Sequence, residues 1–292
     1  MEGNVLIVGA GRIGSALAGI IRKGHMVEMW DIEPCMCTIR APLGEMVKGA
    51  DIIVLCVPSW GMREVVGQVA ADVRRSTPVF SLAKGLEPDG TTMARLLADI
   101  LPPAQPFGLI AGPLIAEDLK HGRGGVAVIA SEEHTVADTF SHLVGSTMRI
   151  SADRRINAVA LCSVIKNVYA MALGIADGMG WGVNLKGALT ARVISEMHEV
   201  AADLKIPDEL ISGLAGVGDL IATGFCESSR NRSVGADLAK GKVPERSEAT
   251  ASLEPLWILA GKGLHAPILS ALRTVCAGGP AADEFSPLLS SD

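Results

Sequence analysis

The sequence predicts two domains in series: an α/β domain built on a doubly wound parallel sheet, followed by an all-α domain. Three observations predict this. A glycine-rich GAGRIG turn (residues 9–14) stands between a short apolar run and an amphipathic segment. Further short apolar runs follow, separated mostly by helical patterns, as in a parallel sheet whose crossovers are helices. From about residue 153 the strand signals stop and only helical periodicity remains. The predicted segments are 1–153, 154–276, and a loose Gly/Pro/Ser-rich tail at 277–292.

Composition narrows the function. The 292 residues are 49% hydrophobic and 20% charged, as in an ordinary globular protein. A net charge of −6 and 3% aromatics argue against a nucleic-acid surface. No apolar run is of membrane-spanning length without a charge or glycine interrupting it. The first strand begins so early that a signal peptide is not expected. The six cysteines are scattered, and Cys35 and Cys37 lack a second pair at zinc spacing. Reduced thiols in a cytoplasmic, metal-free protein are the expectation.

Asn4–Val8 is the first predicted strand. In the turn after it, Gly9 suits a tight reversal, Gly11 the close approach of a pyrophosphate, and Gly14 close helix–strand packing. A helix predicted over Ser15–Arg22 would offer unpaired N–H groups and a positive dipole end to phosphates. The second strand, Met26–Trp30, ends at Asp31. Strand, glycine turn, helix, strand and acid together make the dinucleotide fingerprint of a Rossmann-type sheet. Asp31 has two readings. It accepts hydrogen bonds from a ribose 2′-hydroxyl and repels a 2′-phosphate, favouring NAD over NADP, or it is an ordinary turn residue and Arg40 folds back onto a 2′-phosphate. Further strands are predicted at Asp51–Val57, Pro78–Ala83, Phe107–Ile110, Val126–Ala130 and Thr147–Ser151. Lys84 leaves the fourth strand at the carboxyl edge, where such sheets bind ligands. It reads equally as a solvated loop charge or a ligand contact.

In the second half, helices are predicted over Arg154–Ala176, Leu185–Leu204, Asn231–Ala239, Ser247–Ala260 and Ala266–Cys276. The first is apolar on every face yet carries Lys166 and Asn167. A buried lysine is costly without compensation. Lys166 therefore snorkels outward, forms a structural ion pair, or transfers protons at a cleft. Asp219 and Thr223 share one face if a helix starts at Asp219, although Asp219 also reads as a plain N-cap. Ser229 reads as a cap before Arg230, Asn231 and Arg232. Two arginines at a helix N-terminus oppose its dipole. They make sense there if the N–H groups and guanidinium bind an anion.

In their order, the segments GAGRIGSALA, LAKGLE, AGPLIAE, IKNVYAMALGIADGMGWGVN, GVGDLIAT, SRNR and SEATA resemble the NAD(P)-dependent glycerol-3-phosphate dehydrogenases, from Val5 to about Ala260. The resemblance implies that Lys166 is the acid/base, that Asp219 orients and charge-pairs it, and that Lys84 lies near both substrate and nicotinamide. It implies substrate contacts at Lys84, Asn167, Thr223, Ser229, Arg230 and Asn231. Implied cofactor contacts are Gly9, Gly11, Arg12, Ile13, Gly14, Asp31, Lys84, Gly112, Ala116, Arg230 and Glu248. The β-hydroxyacid dehydrogenases, also Rossmann-plus-helical, place lysine and asparagine a helical turn apart, whereas Lys166 and Asn167 are adjacent.

The activity so implied is hydride transfer between NAD, with NADP left open, and a small anionic substrate. Dihydroxyacetone phosphate and sn-glycerol 3-phosphate are the implied pair, in phospholipid-precursor metabolism, with no metal and with a homodimer left open. Four departures stand against the family pattern: Ile13 where an aromatic is usual, a short Ile32–Ala50 segment, Ala111-Gly112-Pro113 where a serine-glycine-proline turn is usual, and Leu114 where a small hydroxyl residue faces the substrate. Leucine in a polar pocket suggests a changed contact. The alternatives are a reductase of another phosphate- or phosphonate-bearing carbonyl compound, and a non-catalytic nucleotide-sensing module.

Overall fold

A computed structural model describes residues 3–261 and 263–289. The chain forms two compact units, Met1–Lys84 with Thr92–Ala160, and Gly85–Thr91 with Leu161–Asp292. The division falls inside a helix and not at residue 153. The first turn of that helix belongs to the first unit, where Asn157 accepts a hydrogen bond from Thr92 Oγ1 at 3.0 Å. Residues 85–91 belong to the second unit, where the Leu86 N–H donates to Ser252 Oγ at 3.1 Å.

The first unit holds one seven-stranded sheet: β1 (Asn4–Val8), β2 (Met26–Trp30), β3 (Ile52–Leu55), β4 (Val79–Ser81), β5 (Phe107–Ala111), β6 (Gly125–Ala130) and β7 (Met148–Asp153). Their spatial order is β2-β1-β3-β4-β5-β6-β7. Residues Val5–Val8 of β1 are wholly buried, which is why this strand reads as an unbroken apolar run. The sheet is parallel except where β5 meets β6, which run antiparallel. That corrects the all-parallel expectation, and the connection explains it. Between β5 and β6 the only helix is the five-residue Ala116–Lys120. A five-residue helix advances only about 7.5 Å, less than half the roughly 17 Å of a five-residue strand, so the connection does not carry the chain back along the sheet and the chain doubles back.

The second unit is helical. Its longest helix, Ile156–Gly178, is long and apolar enough to cross a membrane by length and composition although Lys166 and Gly174 interrupt it, and 89% of its apolar window is buried inside the protein. Its lone tyrosine, Tyr169, is fully buried and donates to Glu196 Oε1 at 2.7 Å. Glu196 also accepts the N–H groups of Ile268 and Leu269 at 2.7 and 2.8 Å. These N–H groups lie in the first turn of the helix Pro267–Cys276, whose own N-cap, Ala266, supplies no side-chain bond. A carboxylate from a neighbouring helix thus does the capping. Burial pushes the Glu196 carboxyl above its ordinary range, against the pull of these three hydrogen bonds.

The expected loose tail is also corrected. After Gly278, at φ +101°, the chain turns into the helix Ala281–Phe285, and Phe285 is fully buried. One aromatic side chain anchors a segment whose composition otherwise reads as a linker.

Candidate active site

In the first unit, the glycine turn meets the requirements its sequence set. Gly9 has φ +101°, and its N–H donates to Trp30 O at 2.8 Å, tying the turn to the end of β2. A Cβ on Gly9 would lie 2.7 Å from the Cys56 carbonyl, and one on Gly14 would collide with Gly9 O. Gly11 differs: nothing lies within 4 Å of the place a Cβ would occupy. It is the N-cap of the helix Arg12–Ile21. Open space beside a helix N-terminus fits a pyrophosphate. Arg12 opens the helix, and Ile13 packs partly against the sheet core.

Asp31 is bound to this same turn. Its Oδ2 accepts the Ala10 N–H at 2.6 Å and its Oδ1 accepts the Glu33 N–H at 3.1 Å. A carboxylate has about four acceptor positions, so both oxygens keep capacity for a ribose hydroxyl. Arg40 is exposed. Lys84 is held inward, with Nζ donating to Gly112 O at 3.0 Å. Gly112 takes φ +98°, and Ala116 opens the short helix after it. Leu114 departs from expectation. It packs against the hydrophobic core of the sheet, and its Cδ2 lies 2.9 Å from where a Cβ on Gly125 would stand. Its leucine identity therefore has a packing reason, and a changed substrate contact is no longer needed to explain it. Cys56 is a half-buried free thiol that desolvation pushes up to about 12, a poor nucleophile.

In the second unit, Lys166 is buried, its side chain 5% exposed, and its Nζ lies 2.9 Å from Asp219 Oδ2. The same Nζ donates to Thr223 Oγ1 at 2.9 Å, and Thr223 Oγ1 donates to Asp219 Oδ1 at 3.1 Å. Lysine, aspartate and threonine form a closed triangle. Asp219 is not an N-cap. It sits within continuous helical backbone, because the turn Leu214–Gly218, closed by an i to i+5 bond from the Gly218 N–H to Gly213 O at 3.0 Å, runs straight into Asp219–Gly224. Such wide turns recur at functional sites. Here the turn leads directly into the helix that turns both Asp219 and Thr223 toward Lys166.

Asn167 faces a different helix. Its Oδ1 accepts from Asn231 Nδ2 at 2.9 Å, and Asn231 Oδ1 accepts the Ala249 N–H at 3.3 Å. Asn231 thus joins the lysine helix, its own helix Arg230–Leu238, and the first turn of Glu248–Leu259, where Glu248 lies half-buried. Ser229 is the cap of the middle helix, accepting the Arg232 N–H at 3.4 Å. Arg230 is exposed, 3.5 Å from Glu245. The expectation that both flanking arginines face a bound anion is corrected for Arg232, whose Nε meets Asp177 Oδ2 at 2.5 Å. Asp177 also holds Lys186 at 2.8 and 2.9 Å. Sequence reasoning missed Asp177, because the predicted helix stopped at Ala176, whereas the helix runs on to Gly178 and carries Asp177 in its last turn.

Among the described residues, no group of three or more His, Cys, Asp or Glu side chains is placed to hold a metal. Two family models match the chain: NAD-dependent glycerol-3-phosphate dehydrogenase N-terminus over residues 34–137, and the C-terminus of the same family over residues 156–286. The chain is 30% identical to a Sphingopyxis alaskensis protein named glycerol-3-phosphate dehydrogenase (NAD(P)+) 2, across 100% of this chain and 97% of that one. It is 33% identical to a glycerol-3-phosphate dehydrogenase (NAD(P)+) of Acidithiobacillus ferrooxidans, across 94% and 90% of the two chains. The crystal structure of a glycerol-3-phosphate dehydrogenase from Coxiella burnetii superposes with a TM-score of 0.90 at 24% identity, covering 99% of each chain, which shows the shared fold.

Proposed function

Because the chain belongs to the NAD-dependent glycerol-3-phosphate dehydrogenase family and is an NAD(P)-dependent oxidoreductase, we propose that it interconverts dihydroxyacetone phosphate and sn-glycerol 3-phosphate with Lys166 as acid/base. Family membership sets aside the non-catalytic sensing module. The observation that carries the proposal is the buried Lys166–Asp219–Thr223 triangle. A buried ammonium held by a carboxylate and a hydroxyl is a proton donor of fixed direction.

The nicotinamide cofactor, when bound, supplies or accepts the hydride. In reduction the carbonyl carbon gains the hydride and the π electrons move to its oxygen. Lys166 gives its proton to that oxygen, leaving a neutral amine that solvent reprotonates; oxidation runs the same steps backwards. Asp219 stabilises the ammonium, and Thr223 relays its orientation. Asn167 hydrogen-bonds the substrate's polar atoms, and Arg230 and Asn231 bind its phosphate at the helix N-terminus. Lys84 adds positive charge. Gly9, Gly11, Arg12, Ile13, Gly14, Gly112, Ala116 and Glu248 contact the cofactor. The enzyme works in the cytoplasm, as a monomer or a homodimer.

The test is NADH oxidation with dihydroxyacetone phosphate set against a panel of other phosphorylated and phosphonate carbonyl compounds. The highest kcat/KM is expected for dihydroxyacetone phosphate. A higher value for another member would replace the substrate but keep the chemistry. Asp31 gives the coenzyme prediction. Asp31→Gly removes the ribose acceptor and the repulsion of a 2′-phosphate, so the kcat/KM ratio of NADH to NADPH should fall. A wild-type enzyme that already prefers NADPH would reverse this reading and direct attention to Arg40.

A further inference from the structure

We propose that Asp177 is a positioning residue that holds both the phosphate-binding helix and the Asp219–Thr223 turn in register with Lys166. The proposal rests on the reading of Arg230 and Asn231 as the phosphate-binding pair. Asp177 lies in the last turn of the helix that carries Lys166. One arm of its contacts reaches Arg232, in the first turn of Arg230–Leu238, next to Asn231. The other reaches Lys186, in the first turn of Val183–Asp203. Lys186 is itself buried, donates to Gly224 O at 3.4 Å, and stands 4.4 Å above the Phe225 ring. Gly224 directly follows Thr223 and ends that short helix. One carboxylate therefore ties together four helices, and both arms end beside residues of the reaction site.

Helix stability does not account for this arrangement. A carboxylate is disfavoured at a helix C-terminus and a cation at an N-terminus. Asp177, Lys186 and Arg232 each occupy the unfavourable end of their helix, and Asp177 is the carboxylate that pairs with both cations. Their charges make sense as a constraint on how the helices meet.

The contact they constrain is a smooth one. Cβ atoms on Gly174 and Gly178 would collide with the backbone of Arg232 and Ala236, and one on Gly235 would collide with the Met171 carbonyl. Two helices therefore touch backbone to backbone, with little side-chain interdigitation to stop one sliding along the other. Asn167–Asn231 pins one side of this contact and Asp177–Arg232 the other.

The two arms predict different kinetics. Arg232→Gln cuts only the arm to the phosphate helix. It should raise KM for dihydroxyacetone phosphate about tenfold, with kcat and the kcat/KM for unphosphorylated dihydroxyacetone little changed. Lys186→Gln cuts only the arm to the Asp219–Thr223 turn, and should lower kcat for both substrates alike. Asp177→Asn should show both effects, and Asp177→Glu should recover part of each. NADH affinity, read by fluorescence, should stay within about twofold of wild type in all four. A merely structural role would lower every parameter together. The proposal is overturned if Arg232→Gln and Lys186→Gln behave alike, or if neither changes the kinetics. Should Asp177→Asn fail to fold, by circular dichroism and loss of NADH binding, the two single-arm variants decide. Arg230→Ala is measured in parallel. If it shows no phosphate-selective loss, the phosphate-site reading itself fails; if it does while Arg232→Gln does not, only the positioning role fails.

Discussion

Lys166→Ala should lower kcat for ketone reduction at least ~100-fold, the usual scale for losing a positioned acid/base group, while NADH affinity stays near wild type. The proton that the alkoxide oxygen needs would then have to come from water, without the fixed direction that Asp219 and Thr223 impose. The substitution carries a second effect. Asp219, with a side chain 2% exposed, would lose its counter-charge inside the protein, and breaking such a pair typically costs about 3–5 kcal/mol. Thermal unfolding must therefore accompany the kinetics, at a temperature where the variant is folded. Lys166→Arg should keep more of the stability and still fail in turnover, because a guanidinium effectively never deprotonates and its fork has a different shape. Normal turnover in a folded Lys166→Ala enzyme would reject the assignment.

Arg230→Ala should cost about 2–5 kcal/mol in kcat/KM for dihydroxyacetone phosphate, the range for truncating one partner of a buried hydrogen-bonded charge pair, which Arg230 and the phosphate form once the substrate covers them. That is roughly 30-fold to several thousand-fold. Dihydroxyacetone, which has no phosphate, should lose far less. Free phosphite added with dihydroxyacetone should partly restore the wild-type rate, but not the rate of Arg230→Ala. The side chain is 56% exposed and only 3.5 Å from Glu245, a loose surface pair of little intrinsic worth, so the loss would report the ligand and not the fold. Equal losses for the two substrates would assign Arg230 to the cofactor or to folding instead.

Much of this was legible because it is local. The glycine turn, its flanking strands and Asp31 lie within 28 residues, Asn4 to Asp31. Their jobs follow from backbone geometry that any reader of the sequence can apply. Lys166 was conspicuous because its helix is apolar on every face, so its charge required an explanation from the chemistry of the sequence. The helix ends were mostly found within a few residues. Gly9, Gly14 and Ser229 do what their residue types suggest: a positive φ, a close approach and a cap.

What the sequence by itself determined is therefore the two-part architecture, the dinucleotide turn and the presence of a costly buried lysine. Tertiary structure alone decided how that lysine is compensated. Thr223 lies 57 residues from Lys166 in the chain, and no periodicity reports a contact of that range. Only packing could show that Asp219 is a partner and not a cap, that Leu114 fills a space left by Gly125, and that Phe285 anchors the last helix. The direction of β6 is of the same kind, since it depends on whether a thirteen-residue connection, 112–124, can carry the chain back along the sheet. Asp177 marks the boundary most sharply. It lies half-buried, one residue beyond the predicted end of the lysine helix. Which cations answer it was not legible, because Arg232 lies 55 residues away and is brought there by a glycine-lined helix contact.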